Sequence, residues 1–357
     1  MPRLRLACYN IAWFAQLFDQ RNRLTDDQEW SAIRDVTRHR QAEAIAEVLR
    51  RVDADCFALI EAPNSGRRQS CVAELHGFAQ RFGLRQRSAL IGFANPTEQE
   101  IALLFDPDRI GAEHAPIGEV LDEKTAQTGE LPFGTPRFDS VFPADLDGDG
   151  AIELHRFSKP PLEAMVADRA NGVSFRLIAV HLKSKGPNVA GSLEERHRRG
   201  LENRAKQFAQ ATWLRARLEE HMAAGEEIVV LGDFNDGPGM DELEQVNGRS
   251  SVELVTGDPA RPETLLAHPF TRQQIAPYGA RPSTARFYDD RNDSYLNALI
   301  DFIMLSPDLA ARTRPVWRIW HPFDDAGCVA DERLQQALLD ASDHFPVSVD
   351  LVLDGAK

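Results

Sequence analysis

Six apolar runs in this sequence end abruptly in a side chain able to do chemistry. LRLACY runs into Asn10, CFALI into Glu61 and RLIAV into His181. IVVLG runs into Asp233, with Asn235 two residues on. NALI leads into Asp301, and Asp343-His344 stands directly before FPVSVDLVL. Strands buried on both faces seldom carry such groups in their interiors. Any one of them alone reads equally well as an Asp or Asn closing a turn. Six together favour one shared rim at the strand ends, where α/β proteins place their sites.

The residue types narrow the chemistry. Carboxylates and asparagine amides are hard oxygen donors, which suit Mg²⁺ or Mn²⁺. Zinc fits less well, because the sequence holds neither H-E-x-x-H nor a thiolate set. Two histidines beside a cation suggest acid–base work or stabilisation of developing charge. An Asp next to a His orients the ring and favours its charged form. Together these groups describe metal-assisted hydrolysis of a phosphoryl group.

The elements that must position them alternate. LRLACYN reads as a strand, RHRQAEAIAEVLRRV as a helix of near-3.6 period and CFALIE as a second strand. A helix over 71–82 and the strand EIALLFDPD follow, then FRLIAVHLKSK. The long helical stretch from Ser192 has Gly225 as its stop. EIVVLGDFN, ALIDFIMLS and FPVSVDLVL close the set, and the pattern is α/β. Two stretches, 106–161 and 237–292, read as irregular elaborations of one core. The expectation is therefore a single domain over 1–357.

Composition bounds the setting. The chain has 357 residues, 43% of them hydrophobic and 27% charged, with a formal charge of −14. A protein that binds phosphate backbones by diffuse attraction is usually basic. Here an anionic substrate must be held by local cations. No apolar run exceeds five residues, far below the about 20 of a spanning helix. Cys8, Cys56, Cys71 and Cys328 form no C-x-x-C pair and read as reduced structural thiols. The N-terminus carries no signal-peptide pattern, so a cytoplasmic protein is expected; a monomer is expected as well.

YNIAWF, ALIEA, VHLKSK, LGDFND, LIDFIM and SDHFPV, in this order, resemble the endonuclease/exonuclease/phosphatase superfamily, with its deoxyribonuclease I-like fold. The resemblance spans Leu4 to Val352. GDFN followed by SDH before a terminal strand is specific in combination. It implies a four-layer α/β/β/α sandwich of two mixed sheets. It also implies that Asn10 and Glu61 hold the divalent ion, with Asp343 a further ligand. Asp233 and Asn235 match the pair that contacts the attacking water and the phosphate. His344 matches the histidine on a phosphate oxygen, Asp301 its carboxylate partner, and His181 the second histidine, near the leaving group.

Other residues carry weaker signals. Lys159, in FSKPPLE, matches a family position where a basic residue precedes a proline, and would contact phosphate. Lys183 and Lys185 share the face of His181 by strand alternation and are expected to do the same. Glu100 is a candidate acidic partner of His181. Asp145, Asp147 and Asp149 begin like an EF-hand loop, but Arg156 stands where a bidentate Glu is needed. An Asp/Gly turn is favoured there over Ca²⁺. Trp317 and Trp320 alternate as on a strand and read as packing rather than a stacking platform.

The leading expectation is a Mg²⁺- or Mn²⁺-dependent phosphodiesterase, a nuclease acting on a phosphodiester and, in that case, on nucleic acid. The alternative is a phosphomonoesterase or phospholipase-type enzyme on a small-molecule or lipid headgroup. A third reading, an inactive scaffold used for binding, is disfavoured by the completeness of the residue set.

Overall fold

The structure is a computed structural model, and it describes residues 3–127, 134–146, 148–187, 191–241, 247–270, 282–290 and 292–352. Two sheets dominate. The first contains β1 (Arg3–Asn10), β2 (Cys56–Ala62), β3 (Ser88–Ile91), β4 (Glu100–Phe105), β14 (Val316–Ile319) and β15 (Val347–Val352), in the order β14-β15-β1-β2-β4-β3. The second contains β5 (Ile110–His114), β8 (Leu162–Asp168), β9 (Val173–His181), β10 (Ile228–Asp233) and β13 (Asp301–Leu305), in the order β13-β10-β9-β8-β5. Two hairpins stand apart, β6 (Phe142–Ala144) with β7 (Glu153–His155) and β11 (Ala285–Asp289) with β12 (Ser294–Ala298).

Both sheets are mixed. β1 runs parallel to β2 and antiparallel to β15. β10 runs parallel to β9 and antiparallel to β13. Strand alternation then builds the layers. Leu4, Leu6 and Cys8 of β1 meet Phe175, Leu177 and Ala179 of β9 in one apolar core between the sheets. Ala7 and Tyr9 point the other way, under the helices α1 (Arg38–Val52), α2 (Cys71–Phe82) and α8 (Glu332–Ala341). Ile178 and Val180 of β9 point toward Trp213, Leu214 and Leu218 of α4 (Leu193–Ala223). The result is the expected helix–sheet–sheet–helix sandwich.

The local signals explain the element ends. Thr37 caps α1 through Arg40 N, and the stripe Ala42, Ile45, Ala46, Val48 and Leu49 is buried as its period requires. α4 opens with a full capping box, Ser192 with Glu195. Gly225 follows it at φ +75, a conformation that costs glycine no Cβ clash.

The two stretches expected to be irregular contain real elements. The first holds β5, an edge strand of the second sheet, and the short α3 (Glu123–Gln127); the second holds α5 (Ser251–Thr256) and β11. β5 reads IGAEH and is only partly buried. An edge strand needs no continuous apolar run, so it left no periodic signal. In the β6–β7 loop, Asp145 accepts from Gly148 N at 2.8 Å and Gly150 N at 3.0 Å. Those bonds close a turn at Asp145; Asp147 lies outside the described residues. Trp317 and Trp320 donate to Ile303 O and Ser348 Oγ and pack within the fold. α6 (Pro307–Thr313) and α7 (Ala326–Val329) complete the helices, and among the described residues none is long and apolar enough to cross a membrane.

Candidate active site

The topology collects the polar strand ends on one rim. β1, β2, β9 and β10 finish there, and the antiparallel β13 and β15 begin there. Register makes the grouping tight: Asp233 of β10 stands opposite His181 of β9 on one side and Asp301 of β13 on the other. Gly232, in the GDFN motif, allows this closeness. A Cβ there would lie 2.0 Å from Val180 O, and its φ is +142.

Asp233 is the hub. It accepts from Asn10 Nδ2 at 3.0 Å, from Asn235 N at 2.7 Å and from Asn235 Nδ2 at 3.2 Å. Asn235 reaches it because its backbone is left-handed, at φ 50, which asparagine tolerates. Burial raises the Asp233 carboxyl above its ordinary range, and Asp301 adds to the effect. Asp301 Oδ2 lies 2.9 Å from His344 Nδ1, both groups buried. Burial alone would lower the His344 value. Asp301, with smaller help from Asp233 and Asp343, outweighs it and lifts His344 to about 10.

Glu61 faces this array from β2. It sits at φ 58, where the pairing of β2 with β4 slips between Ile60 and Ala62. Such a bulge re-aims a side chain that regular pleating would hold in the sheet. Trp13 N donates to Glu61 Oε2 at 3.0 Å. Burial raises the Glu61 carboxyl, against the pull of that bond and of Lys159.

His181 is held differently from expectation. Lys159 Nζ lies 2.9 Å from its Nε2 and 3.0 Å from Gln99 Oε1. Burial, and then Lys159, push His181 well below the usual histidine range. Burial also lowers Lys159, although Glu61 and Asp233 oppose it. Glu100 is not the partner of His181: its carboxylate takes Ser65 N and the Asn95 side chain.

A cleft of about 1350 Å³ is lined by Glu61, Lys159, His181, Lys183, Asp233, Asn235, Asp343 and His344. Asn10 and Asp301 lie just beneath it, through Asp233 and His344. Lys185 is absent from it, against expectation, and its ammonium pairs with buried Asp236. The alternation argument fails because β9 stops at His181, so the face it defines is not carried on to Lys185.

A divalent cation suits this set. Asn10 Oδ1 is buried and has no hydrogen-bond partner among the described residues, because its amide nitrogen is turned to Asp233. A buried, unmet acceptor beside carboxylates fits a cation. Asp233, Asp301 and His344 also present ligand atoms within 4.8 Å of one another. There, however, His344 Nδ1 is already engaged by Asp301, and imidazolium is a poor ligand. Glu61, Asn10 and Asp343 are the better candidate set.

Three contributors went unread in the sequence. Gln99 left no signal. Trp13 supplies a backbone N–H, which any residue type can do. Ser342 was visible in SDH but had no assigned task. Its Oγ donates to Asn10 O at 2.8 Å and accepts from Ala12 N and His344 N, both at 3.1 Å. It ties the end of β1 to the turn that presents His344.

A two-sheet sandwich whose rim carries this array defines a phosphoric ester hydrolase of the deoxyribonuclease I-like fold. The chain belongs to the endonuclease/exonuclease/phosphatase family, whose sequence pattern matches residues 8–344. Solved structures align along nearly the whole chain. A family member from Bacteroides thetaiotaomicron aligns with TM-score 0.50 at 13% identity, over 99% of this chain and 98% of that one. One from Bacteroides vulgatus aligns with TM-score 0.49 at 14% identity, over 99% and 100%. The human Nocturnin catalytic domain, solved with a bound sulfate anion, aligns with TM-score 0.48 at 15% identity, over 99% and 95%. No curated protein matches the chain in sequence.

Proposed function

We propose that the protein is a Mg²⁺- or Mn²⁺-dependent phosphodiesterase of nuclease type, working as one domain. The observation that carries this reading is the convergence of Glu61, Lys159, His181, Asp233, Asn235 and His344 on one cleft. The apolar core between the two sheets, built from residues spread from Leu4 to Leu351, supports the one-domain part.

In this reading Glu61, Asn10 and Asp343 would hold the cation. When bound, it neutralises charge on the phosphate and lowers the pKa of bound water. Asp233 and Asn235 orient the attacking water, and Asn10 Nδ2 fixes the Asp233 carboxylate for that task. His344, kept charged by Asp301, donates to a non-bridging phosphate oxygen. Lys159, which lines the cleft, spends two of its three N–H groups on Gln99 and His181 and keeps one for substrate. Lys183 stands on the same wall.

The test is a substrate panel with Mg²⁺ and Mn²⁺: plasmid, single-stranded oligonucleotide, bis-p-nitrophenyl phosphate, inositol phosphates and sphingomyelin. Cleavage of the diesters, abolished by EDTA, is expected. Release of inorganic phosphate from inositol phosphates alone would replace this reading with a phosphomonoesterase. Preference for sphingomyelin would indicate a headgroup phospholipase, and inertness toward all of them a binding scaffold.

A further inference from the structure

A second groove adjoins the catalytic cleft and no step above uses it. Its volume is about 470 Å³, within the about 300–1000 Å³ of small-ligand sites. One wall is the β11–β12 hairpin. Tyr288 and Tyr295 are cross-strand partners in register. By alternation Arg286 shares the face of Tyr288, while Phe287 points the other way, into the cleft, with its ring 5.4 Å from that of His344.

On the groove face each tyrosine ring carries a guanidinium group. Arg34 lies 3.6 Å from the ring centre of Tyr288, and Arg286 lies 3.4 Å from that of Tyr295. The two rings meet edge-on at 5.2 Å. Arg34–Tyr288–Tyr295–Arg286 is thus a continuous ladder of planar groups. Arg286 forms no ion pair with a carboxylate among the described residues, in a chain of charge −14 where most arginines are paired. Stacking leaves its in-plane N–H groups available to an anion.

Asp343 lines both the groove and the cleft, and Arg286 N donates to Asp343 O at 2.7 Å. The ladder is therefore anchored to the turn that carries His344. Because cleft and groove share Asp343, a ligand with its phosphate at His344 would extend toward the ladder with the neighbouring unit. The chemistry that matches two rings flanked by guanidinium planes is a flat π-system joined to a phosphate. An acyl chain has no such plane, and a duplex base is already stacked on its neighbours.

We propose that the groove beside Asp343 is a stacking subsite for an unpaired nucleobase of the nucleotide next to the scissile phosphate, with Arg286 holding that nucleotide's own phosphate. This rests on the phosphodiesterase reading and gives it a substrate class, single-stranded nucleic acid.

The test compares a single-stranded decanucleotide, the same strand with abasic sites, and methyl p-nitrophenyl phosphate on the full chain. Tyr295→Ala and Arg286→Ala should each raise KM for the decanucleotide about tenfold, with kcat unchanged. Turnover of the small diester should not change. Tyr295→Phe, which keeps the ring, should behave as wild type. The abasic strand should bind wild type as weakly as the decanucleotide binds Tyr295→Ala. An unchanged decanucleotide KM, or an equal loss on both esters, would overturn the proposal. So would a loss accompanied by a lowered Tm and not restored in Tyr295→Phe, because the ladder would then only brace the hairpin. If wild type hydrolyses the small diester but neither binds nor cleaves the decanucleotide, the subsite fails and the phosphodiesterase reading stands. If it hydrolyses neither, that reading fails. Decanucleotide binding by fluorescence anisotropy across the same variants then decides the subsite on its own.

Discussion

Lys159 Nζ lies 2.9 Å from His181 Nε2. An ammonium has only donors, so the ring nitrogen facing the cleft accepts, and the ring proton sits on Nδ1. That places the positive charge of this wall on the lysine. His181 Nε2 is also 3.6 Å from Asp233 Oδ2, so the lysine-bearing ring stands beside the hub carboxylate. On the proposed reading, His181 positions Lys159 rather than donating a proton.

Lys159→Met should lower kcat about 10²-fold, the usual scale for losing one preorganised donor. Because the ammonium is the active form and its pKa is lowered by burial, wild-type activity should fall on the alkaline side below the ordinary lysine range of about 10.4. The kcat–pH profile of wild type against Lys159→Arg checks this. An alkaline limb that stays in place in the arginine variant counts against the assignment.

Glu61→Gln keeps shape and removes the charge that would hold the cation. It should cost on the order of 10²–10³-fold in kcat. A second readout is independent of turnover: Mn²⁺ should raise the Tm of wild type by preferential binding to the folded state, and this rise should vanish in the variant. A Tm response to Mn²⁺ that survives in Glu61→Gln would move the ion to the Asp233, Asp301 and His344 group.

His344→Ala should lower kcat by about 10²–10⁴-fold, the range for a positioned acid or base. Asp301→Asn should act through the charge on His344. The folded value of about 10 lies above the unfolded value of about 6.5. The pair's contribution to stability is therefore complete below pH 6.5 and lost as pH rises through about 10. Thermal melts of wild type and Asp301→Asn should thus differ most at pH 6 and converge above pH 10.

Glu74, inside α2, offers a test of stability far from the cleft. Burial raises its carboxyl to about 8, with Gln69 opposing and Asp19 reinforcing the shift. The unfolded chain ionises this group near 4.3, while the folded chain keeps it protonated until about 8. The group therefore costs stability increasingly from pH 4.3 up to 8 and no more beyond. Glu74→Gln should raise Tm by a few degrees at pH 8 and leave it unchanged at pH 4, with activity intact.

What the sequence determined by itself was whatever depends on residues near one another in the chain. The period of RHRQAEAIAEVLRRV defined α1 from Arg38 to Val52, because burial of one helical face is a local pattern. The polar endings of apolar runs located Asn10, Glu61, His181, Asp233, Asp301 and His344, because a buried strand interior excludes such groups wherever the chain later leads. Tertiary structure decided what depends on distance through space. Lys159 and His181 are 22 residues apart, and Gln99 is 60 from Lys159, so no local rule could show that they hydrogen-bond. Lys183 and Lys185 looked alike by alternation, yet the end of β9 sent one to the cleft and the other to Asp236. Alternation holds only while a neighbouring strand fixes the pleat, and where that pairing stops is settled by the assembled sheet.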